Sequence, residues 1–164
     1  MTRLHVPIRL RWSDLDAYGH VNNAEMLRLL EEARIAAFWV TDDADPDGEH
    51  GPLAGSTAVL DGRPGADTIT LIARQEIEYL RPVPYQRNPL DVQLWFGKIG
   101  GSSIEVCYEV FSPASSAGQD LYARASAVVV MVDAATGRPV RLTDEQRAAW
   151  SPYLGEPVVY AHRR

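Results

Sequence analysis

The residues with the clearest potential for chemistry lie in one short segment, residues 14–23, between a predicted strand and a predicted helix. The segment holds two acids, a glycine, a histidine and two asparagines: Asp14, Asp16, Gly19, His20, Asn22 and Asn23. A helix N-terminus presents free backbone N–H groups and a positive dipole end, so it can stabilise the oxyanion formed when a carbonyl is attacked. A carboxylate just upstream could act there as a nucleophile or as a general base on water. The combination suits acyl transfer.

The same residues also have a structural interpretation. Asp14 and Asp16 are typical of turns, Asn22 is a typical N-cap, and Gly19 allows a sharp bend. His20 could be a general base, or it could simply make a structural hydrogen bond within the turn. The residue types alone leave these alternatives open.

Other chemistries lack the residues they need. The chain has one cysteine, Cys107, and this excludes a disulfide within the chain and a cysteine-rich metal site. Cys107 lies in an alternating, strand-like run. The four histidines do not have zinc-ligand spacing. Residues 43–48 begin like an EF-hand loop, but the twelfth position, which needs Glu, is Ala54. The sequence contains no Walker A loop, no G-x-G-x-x-G and no G-x-S-x-G.

Composition indicates one folded domain. The chain has 164 residues, of which 46% are hydrophobic and 23% charged, with a net charge of −6. The acidic balance and the lack of a basic run argue against a nucleic-acid partner. No apolar run approaches the ~20 residues of a membrane span, and the N-terminus does not resemble a signal peptide. We therefore expect a cytoplasmic location.

Hydrophobic periodicity predicts the elements that must position residues 14–23. Residues 6–12 alternate as a strand, and residues 24–40 form a helix that is apolar over most of its surface and hence buried. We expect Asn22 to cap this helix and Glu25 to complete a variant of the capping box. Four more strands are predicted at residues 68–80, 90–96, 104–110 and 121–132. Gly100-Gly101 predicts a hairpin turn between the second and third of these.

This order of elements predicts an α+β architecture and disfavours a doubly wound parallel sheet. The predicted domain covers residues 1–150, with an acidic loop insertion at 41–65 and a loosely structured tail at 151–164. A capping box formed by Thr143 and Gln146 opens a short helix before that tail. One helix cannot cover a five-stranded sheet completely, so oligomerisation is a natural way to cover the remaining edge and face.

Residues 11–23, RWSDLDAYGHVNN, and 27–34, LRLLEEAR, closely resemble hotdog-fold acyl-CoA thioesterases of the 4-hydroxybenzoyl-CoA thioesterase branch. Three later segments resemble that family in the same order: EIEYLRPV (76–83), IGGSS (99–103) and VDAATGRP (132–139). The resemblance implies a single hotdog domain, in which a curved antiparallel sheet of about five strands wraps a long central helix. It also implies homodimers whose sheets join, or dimers of dimers (homotetramers), with active sites at the subunit interface.

The resemblance further implies hydrolysis of acyl-CoA to CoA and a free carboxylic acid, without a metal or other cofactor. The catalytic carboxylate would be Asp16, the second Asp of the D-x-D-x-x-G motif, acting as nucleophile or general base. The oxyanion donors would be backbone N–H groups at the helix start, at about Asn23, and His20 would help to shape the site. The expected substrate contacts are Gly19, Val21, Asn22, Met26 and Arg81.

The acyl group itself is left open by the sequence. Two related functions also remain: hydrolysis of a thioester carried by acyl carrier protein, and a non-catalytic hotdog domain that binds acyl thioesters. A hotdog dehydratase is disfavoured, because that subgroup uses a histidine and an acid in a different arrangement.

Overall fold

The described part of the chain forms a five-stranded antiparallel sheet with a long helix packed against one face. The computed structural model describes residues 2–40, 57–115 and 118–161. The EF-hand-like residues 43–48 and most of the predicted acidic loop therefore lie outside the described residues. The strands are β1 (Leu4–Ile8), β2 (Thr68–Tyr79), β3 (Leu90–Ile99), β4 (Ser103–Phe111) and β5 (Leu121–Asp133), and the helices are α1 (Asn23–Phe38) and α2 (Asp144–Trp150).

The sheet has the order β1-β3-β4-β5-β2, and every neighbouring pair is antiparallel. Register shifts interrupt β2–β5, β3–β4 and β4–β5, and bulges of this kind bend and twist strands. The curved α+β sheet expected from the sequence is thus confirmed. No helix in the described ranges is long and apolar enough to cross a membrane.

The core lies between α1 and the sheet. Alternation along β1 buries Leu4, Val6 and Ile8 and leaves the intervening residues exposed, as a strand with one buried face requires. At the far end of α1, the rings of Phe38, Phe96 and Trp150 pack with centroid separations of 5.2 to 5.9 Å. This cluster ties α2 and the end of α1 to the middle of the sheet.

The edge strand β2 is half uncovered. It pairs with β5 on one side, and no strand in the described ranges pairs with its other side. Three of its apolar side chains, Ile69, Leu71 and Ile72, are 40% to 50% exposed. A long edge strand with exposed apolar residues is a template for pairing with another chain.

Two local predictions near the N-terminus are wrong. The predicted strand at residues 6–12 ends at Ile8, because Trp12–Asp14 form a 3-10 turn instead. The capping-box variant at Glu25 does not form. The N–H of Asn22, which that carboxylate would accept from, donates to the Asp14 carbonyl at 2.8 Å, and Glu25 pairs with Arg28.

The tail predicted to be loose is packed over residues 151–161, although most of it is irregular. The indole of Trp95 donates to the Glu156 carbonyl at 2.8 Å, and the Gly155 N–H donates to the Phe96 carbonyl at 2.9 Å. The Tyr160 hydroxyl lies 3.0 Å from Ser126 Oγ. Trp95 and Ser126 lie in register with Cys107 on the face of the sheet away from α1. The tail therefore covers that face and buries Cys107, whose pKa rises to about 11 through this burial.

We expect Trp150→Ala to destabilise the fold by about 3–5 kcal/mol, the usual cost of removing a fully buried large aromatic side chain. The matched control is Val159→Ala on the tail, whose side chain is 70% exposed; it should change stability by no more than about 0.5 kcal/mol. Urea unfolding at one fixed protein concentration measures both. Equal stability of the two variants would show that α2 is not part of the core.

Candidate active site

The segment between the 3-10 turn and α1 is a tight hairpin. Leu15 and Val21 face each other as an antiparallel bridge. The Asp16 N–H donates to the His20 carbonyl at 2.8 Å, and the Gly19 N–H donates to the Asp16 carbonyl at 3.1 Å. Gly19 has φ +78°, a conformation that side-chain-bearing residues rarely adopt. This hairpin carries Asp16 and leads directly into α1.

Asp14 has a structural role in the hairpin. Its carboxylate is only 1% exposed and accepts hydrogen bonds from the Arg11 backbone N–H at 2.7 Å and from Arg11 Nε at 3.2 Å. The charge of Asp14, helped by Glu32, raises the pKa of Arg11. The Asp14 carbonyl accepts the Asn22 N–H, so this residue ties the 3-10 turn to the residue that caps α1.

Asp16 holds its carboxylate in a different way. One oxygen, Oδ1, accepts from the backbone N–H groups of Tyr18 at 2.8 Å and His20 at 3.1 Å. The other oxygen, Oδ2, makes no hydrogen bond within the described residues, and the residue is half-buried. Asp16 is thus a carboxylate with one oxygen fixed by the hairpin and the other available to a ligand or a water molecule.

The start of α1, at the end of the same hairpin, supplies a hydrogen-bond donor. The Asn22 side chain caps the helix by accepting the Ala24 N–H at 2.8 Å, and the Asn22 carbonyl accepts the Met26 N–H at 3.0 Å. The N–H of Asn23, an exposed residue, finds no acceptor in the described part of the chain. It therefore remains free at the positive end of the helix dipole, where it can stabilise a developing negative charge.

The remaining predicted site residues lie in three different surroundings. His20 and Val21 belong to the hairpin, where Val21 N–H donates to the Val83 carbonyl at 2.9 Å and His20 bridges to Pro84. Met26 is 2% exposed and lies in the core below the helix start. The exposed guanidinium of Arg81 forms an ion pair with Asp120.

Sequence reasoning missed one neighbour of the site, Tyr79. Its hydroxyl donates to the Asn23 carbonyl at 2.6 Å, although 56 residues separate the two along the chain. Burial raises the pKa of Tyr79, so its hydroxyl keeps its proton near neutral pH. Alternation along β2 could have placed Tyr79 on the α1 side of the sheet, together with Ile77, but no pattern in the sequence indicates the contact with Asn23.

A cavity of about 430 Å³ lies near the other end of α1. It is named here the Trp39 cavity, and its lining includes Trp39, Leu60, Arg63, Thr68, Thr70 and Gln146. Because α1 has 16 residues, the cavity and the hairpin are separated by roughly 24 Å of helix within one protomer. Among the described residues, no group of three His, Cys, Asp or Glu side chains is arranged to hold a metal ion.

Known proteins share this architecture. A protein from Pseudomonas aeruginosa strain PAO1, PA5185, superposes with a TM-score of 0.73 at 23% identity, with 94% of each chain covered. A thioesterase from Thermus thermophilus, crystallised with coenzyme A and zinc, has a TM-score of 0.63 at 26% identity and covers 94% of this chain and 95% of its own. YsmA of Bacillus subtilis (strain 168) is 26% identical over 141 residues, which is 85% of this chain and 80% of the relative.

These similarities confirm the hotdog fold expected from the sequence. The model of the thioesterase-like superfamily matches residues 10–150, which include the hairpin, α1 and the whole sheet apart from β1. The chain therefore belongs to the thioesterase-like superfamily.

Proposed function

We propose that this protein hydrolyses acyl-CoA thioesters to CoA and a free carboxylic acid, with Asp16 as the catalytic carboxylate. The observation that carries the proposal is the pairing of two free groups at one hairpin. Asp16 Oδ2 has no partner among the described residues, and neither has the backbone N–H of Asn23 at the start of α1. One group can act on the carbonyl carbon of a thioester while the other accommodates its oxygen.

The reaction begins with the thioester oxygen accepting a hydrogen bond from the Asn23 N–H. Asp16 Oδ2 either attacks the carbonyl carbon, forming a mixed anhydride that water then hydrolyses, or removes a proton from a water molecule that attacks instead. In both routes the C–S bond breaks, the CoA thiolate leaves and takes up a proton, and the acid is released. The fixed Oδ1 keeps the carboxylate in place, and the geometry serves both routes.

Coenzyme A as the thiol carrier is supported by the Thermus thermophilus thioesterase, which was crystallised with coenzyme A. The backbone of Gly19, Val21 and Asn22 would then border the thioester, with His20 beside it. Met26 would contribute to the floor of the site, since it lies buried beneath it. Arg81 would contact the phosphates of CoA, for which it would have to exchange its bond to Asp120.

We further propose that the enzyme works as a homodimer, or a pair of such dimers, joined through the free edge of β2. The support is the unpaired, partly apolar edge of this strand. Antiparallel pairing of two β2 strands about a twofold axis would bring the Thr68 end of one copy to the Tyr79 end of the other. The Trp39 cavity of one copy would then approach the Asp16 hairpin of the other, where it could receive the acyl group.

The proposal is tested by free-thiol release, read with a thiol-reactive dye, from short, long, branched and aromatic acyl-CoAs. We expect wild-type protein to turn over at least one of them. A folded oligomer that releases no thiol from any acyl-CoA would contradict the proposal, and the same assay with thioesters of acyl carrier protein would then examine the carrier-protein alternative.

We expect Asp16→Asn to lower kcat by about 100-fold or more, because the amide can neither attack the carbonyl nor accept the proton of water. Its fold and oligomeric state, measured by circular dichroism and gel filtration, should match those of wild type. The control is Asp144→Asn, an equivalent change at an exposed acid in α2. Near-wild-type kcat in Asp16→Asn would remove this residue from the mechanism.

Asp14→Asn should mainly lower stability and have a smaller effect on kcat. Its buried carboxylate accepts two hydrogen bonds from Arg11, so the loss should appear mainly as about 1–3 kcal/mol of stability. Its kcat should fall less than that of Asp16→Asn. If kcat falls further at position 14 than at position 16, the wrong carboxylate has been assigned.

A further inference from the structure

The first residue of α1 is bonded to the edge strand of the sheet by a single side chain. Tyr79 is the last residue of β2, and its hydroxyl donates to the Asn23 carbonyl at 2.6 Å. Tyr79 is 46% exposed in the single protomer, and its contact lies beside the Asp16 hairpin. Nothing in the proposed hydrolysis uses this hydroxyl directly.

We propose that Tyr79 is a positioning residue, which holds the start of α1 so that the Asn23 N–H points at the thioester oxygen. This inference rests on the proposed function. It gives Tyr79 no contact with the reacting atoms and no proton to transfer. Its role is to reduce the motion of the peptide unit next to the oxyanion donor.

The hydrogen bonds around Asn23 show why this contact matters. The donor N–H belongs to the peptide unit between Asn22 and Asn23. On one side, the preceding unit is held because the Asn22 N–H donates to the Asp14 carbonyl at 2.8 Å. On the other side, the following unit carries the Asn23 carbonyl, which accepts from the Tyr79 hydroxyl, and the Ala24 N–H, which donates to the Asn22 side chain. The donor unit is therefore clamped from both directions, from Asp14 on the hairpin and from Tyr79 on the sheet.

The chain that follows Tyr79 makes this clamp stiff. The N–H groups of Leu80 and Arg81 both donate to the Tyr122 carbonyl, at 2.8 and 3.1 Å, which fixes the end of β2 against β5. Two residues further on, the Val83 carbonyl accepts the Val21 N–H. The end of β2 and the segment after it therefore contact the chain on both sides of the helix start, at Asn23 through Tyr79 and at Val21 through Val83. A misplacement of about 1 Å at a catalytic group can cost about 100-fold in rate, so small motions here affect turnover.

The experiment compares Tyr79→Phe with wild type, using an acyl-CoA that wild type hydrolyses. We expect kcat to fall by about 10-fold while KM changes by less than about 2-fold, because the oxyanion forms only in the transition state. The loss should be the same from pH 6 to pH 9, since burial raises the pKa of Tyr79 and keeps the wild-type hydroxyl protonated across this range. Hydrogen–deuterium exchange should become faster in residues 22–27 and stay unchanged in β3 and β4.

The matched control is Tyr160→Phe on the opposite face of the sheet. It makes the same chemical change and loses the hydrogen bonds of the hydroxyl to Ser126 and to the Glu76 carbonyl. We expect it to lower Tm and leave kcat unchanged. This separates a loss of stability from a loss of positioning.

Two results would overturn the inference while leaving the proposed function intact. One is kcat and KM both unchanged in Tyr79→Phe, and the other is a raised KM with kcat unchanged, which would make Tyr79 a substrate contact. If wild type hydrolyses no thioester, the proposed function fails. Hydrogen–deuterium exchange is then the measurement that shows whether Tyr79 holds the start of α1. Faster exchange at residues 22–27 in Tyr79→Phe would then support the positioning role, and unchanged exchange would overturn it.

Discussion

A helix cannot satisfy its own first backbone N–H groups, and the site of this protein follows from how those of α1 are shared out. The Asp14 carbonyl takes the N–H of the cap residue Asn22, and the cap side chain takes that of Ala24. The N–H of Asn23 is left without a partner in the described part of the chain. The hairpin that arranges the first bond also fixes Asp16 Oδ1 and leaves Oδ2 free. The same set of hydrogen bonds therefore leaves both the Asn23 N–H and Asp16 Oδ2 without a partner.

The rest of the fold holds this arrangement in place. The aromatic cluster of Phe38, Phe96 and Trp150 fixes the far end of α1 to the sheet, and the tail covers the opposite face of that sheet. Asp14 is almost fully buried, so its carboxylate bonds within the hairpin and is not accessible to a substrate. Asp16 is half-buried and keeps an open side. Two acids two residues apart thus differ in burial and in hydrogen bonding.

Much of this could be predicted from local sequence signals. Period-two alternation predicted β3 and β4, and strand-like, apolar runs predicted β2 and β5. The cap residue Asn22 indicated the start of α1, and the capping box of Thr143 and Gln146 indicated the start of α2. The structure confirms all of these. Two of the failures, at Glu25 and in the tail, come from contacts with residues distant in the sequence. Glu25 lost its capping partner to the Asp14 carbonyl. The tail has no periodicity, yet bonds to Trp95 and Ser126 order it.

The site was predictable as a cluster, because six of its residues are nearly consecutive. Tyr79 was not, because its contact with Asn23 spans 56 residues and carries no local signature. The catalytic roles of Asp16, Asn23 and His20 stay predictions. The family match over residues 10–150 supports the class of reaction rather than the identity of the acyl group.

The most direct measurement is a crystal structure of the Asp16→Asn variant with an unhydrolysed acyl-CoA bound. We expect the thioester oxygen to lie about 3 Å from the Asn23 nitrogen, with the side chain at position 16 next to the carbonyl carbon. A thioester bound with its carbonyl away from the start of α1, and out of reach of residue 16, would contradict it.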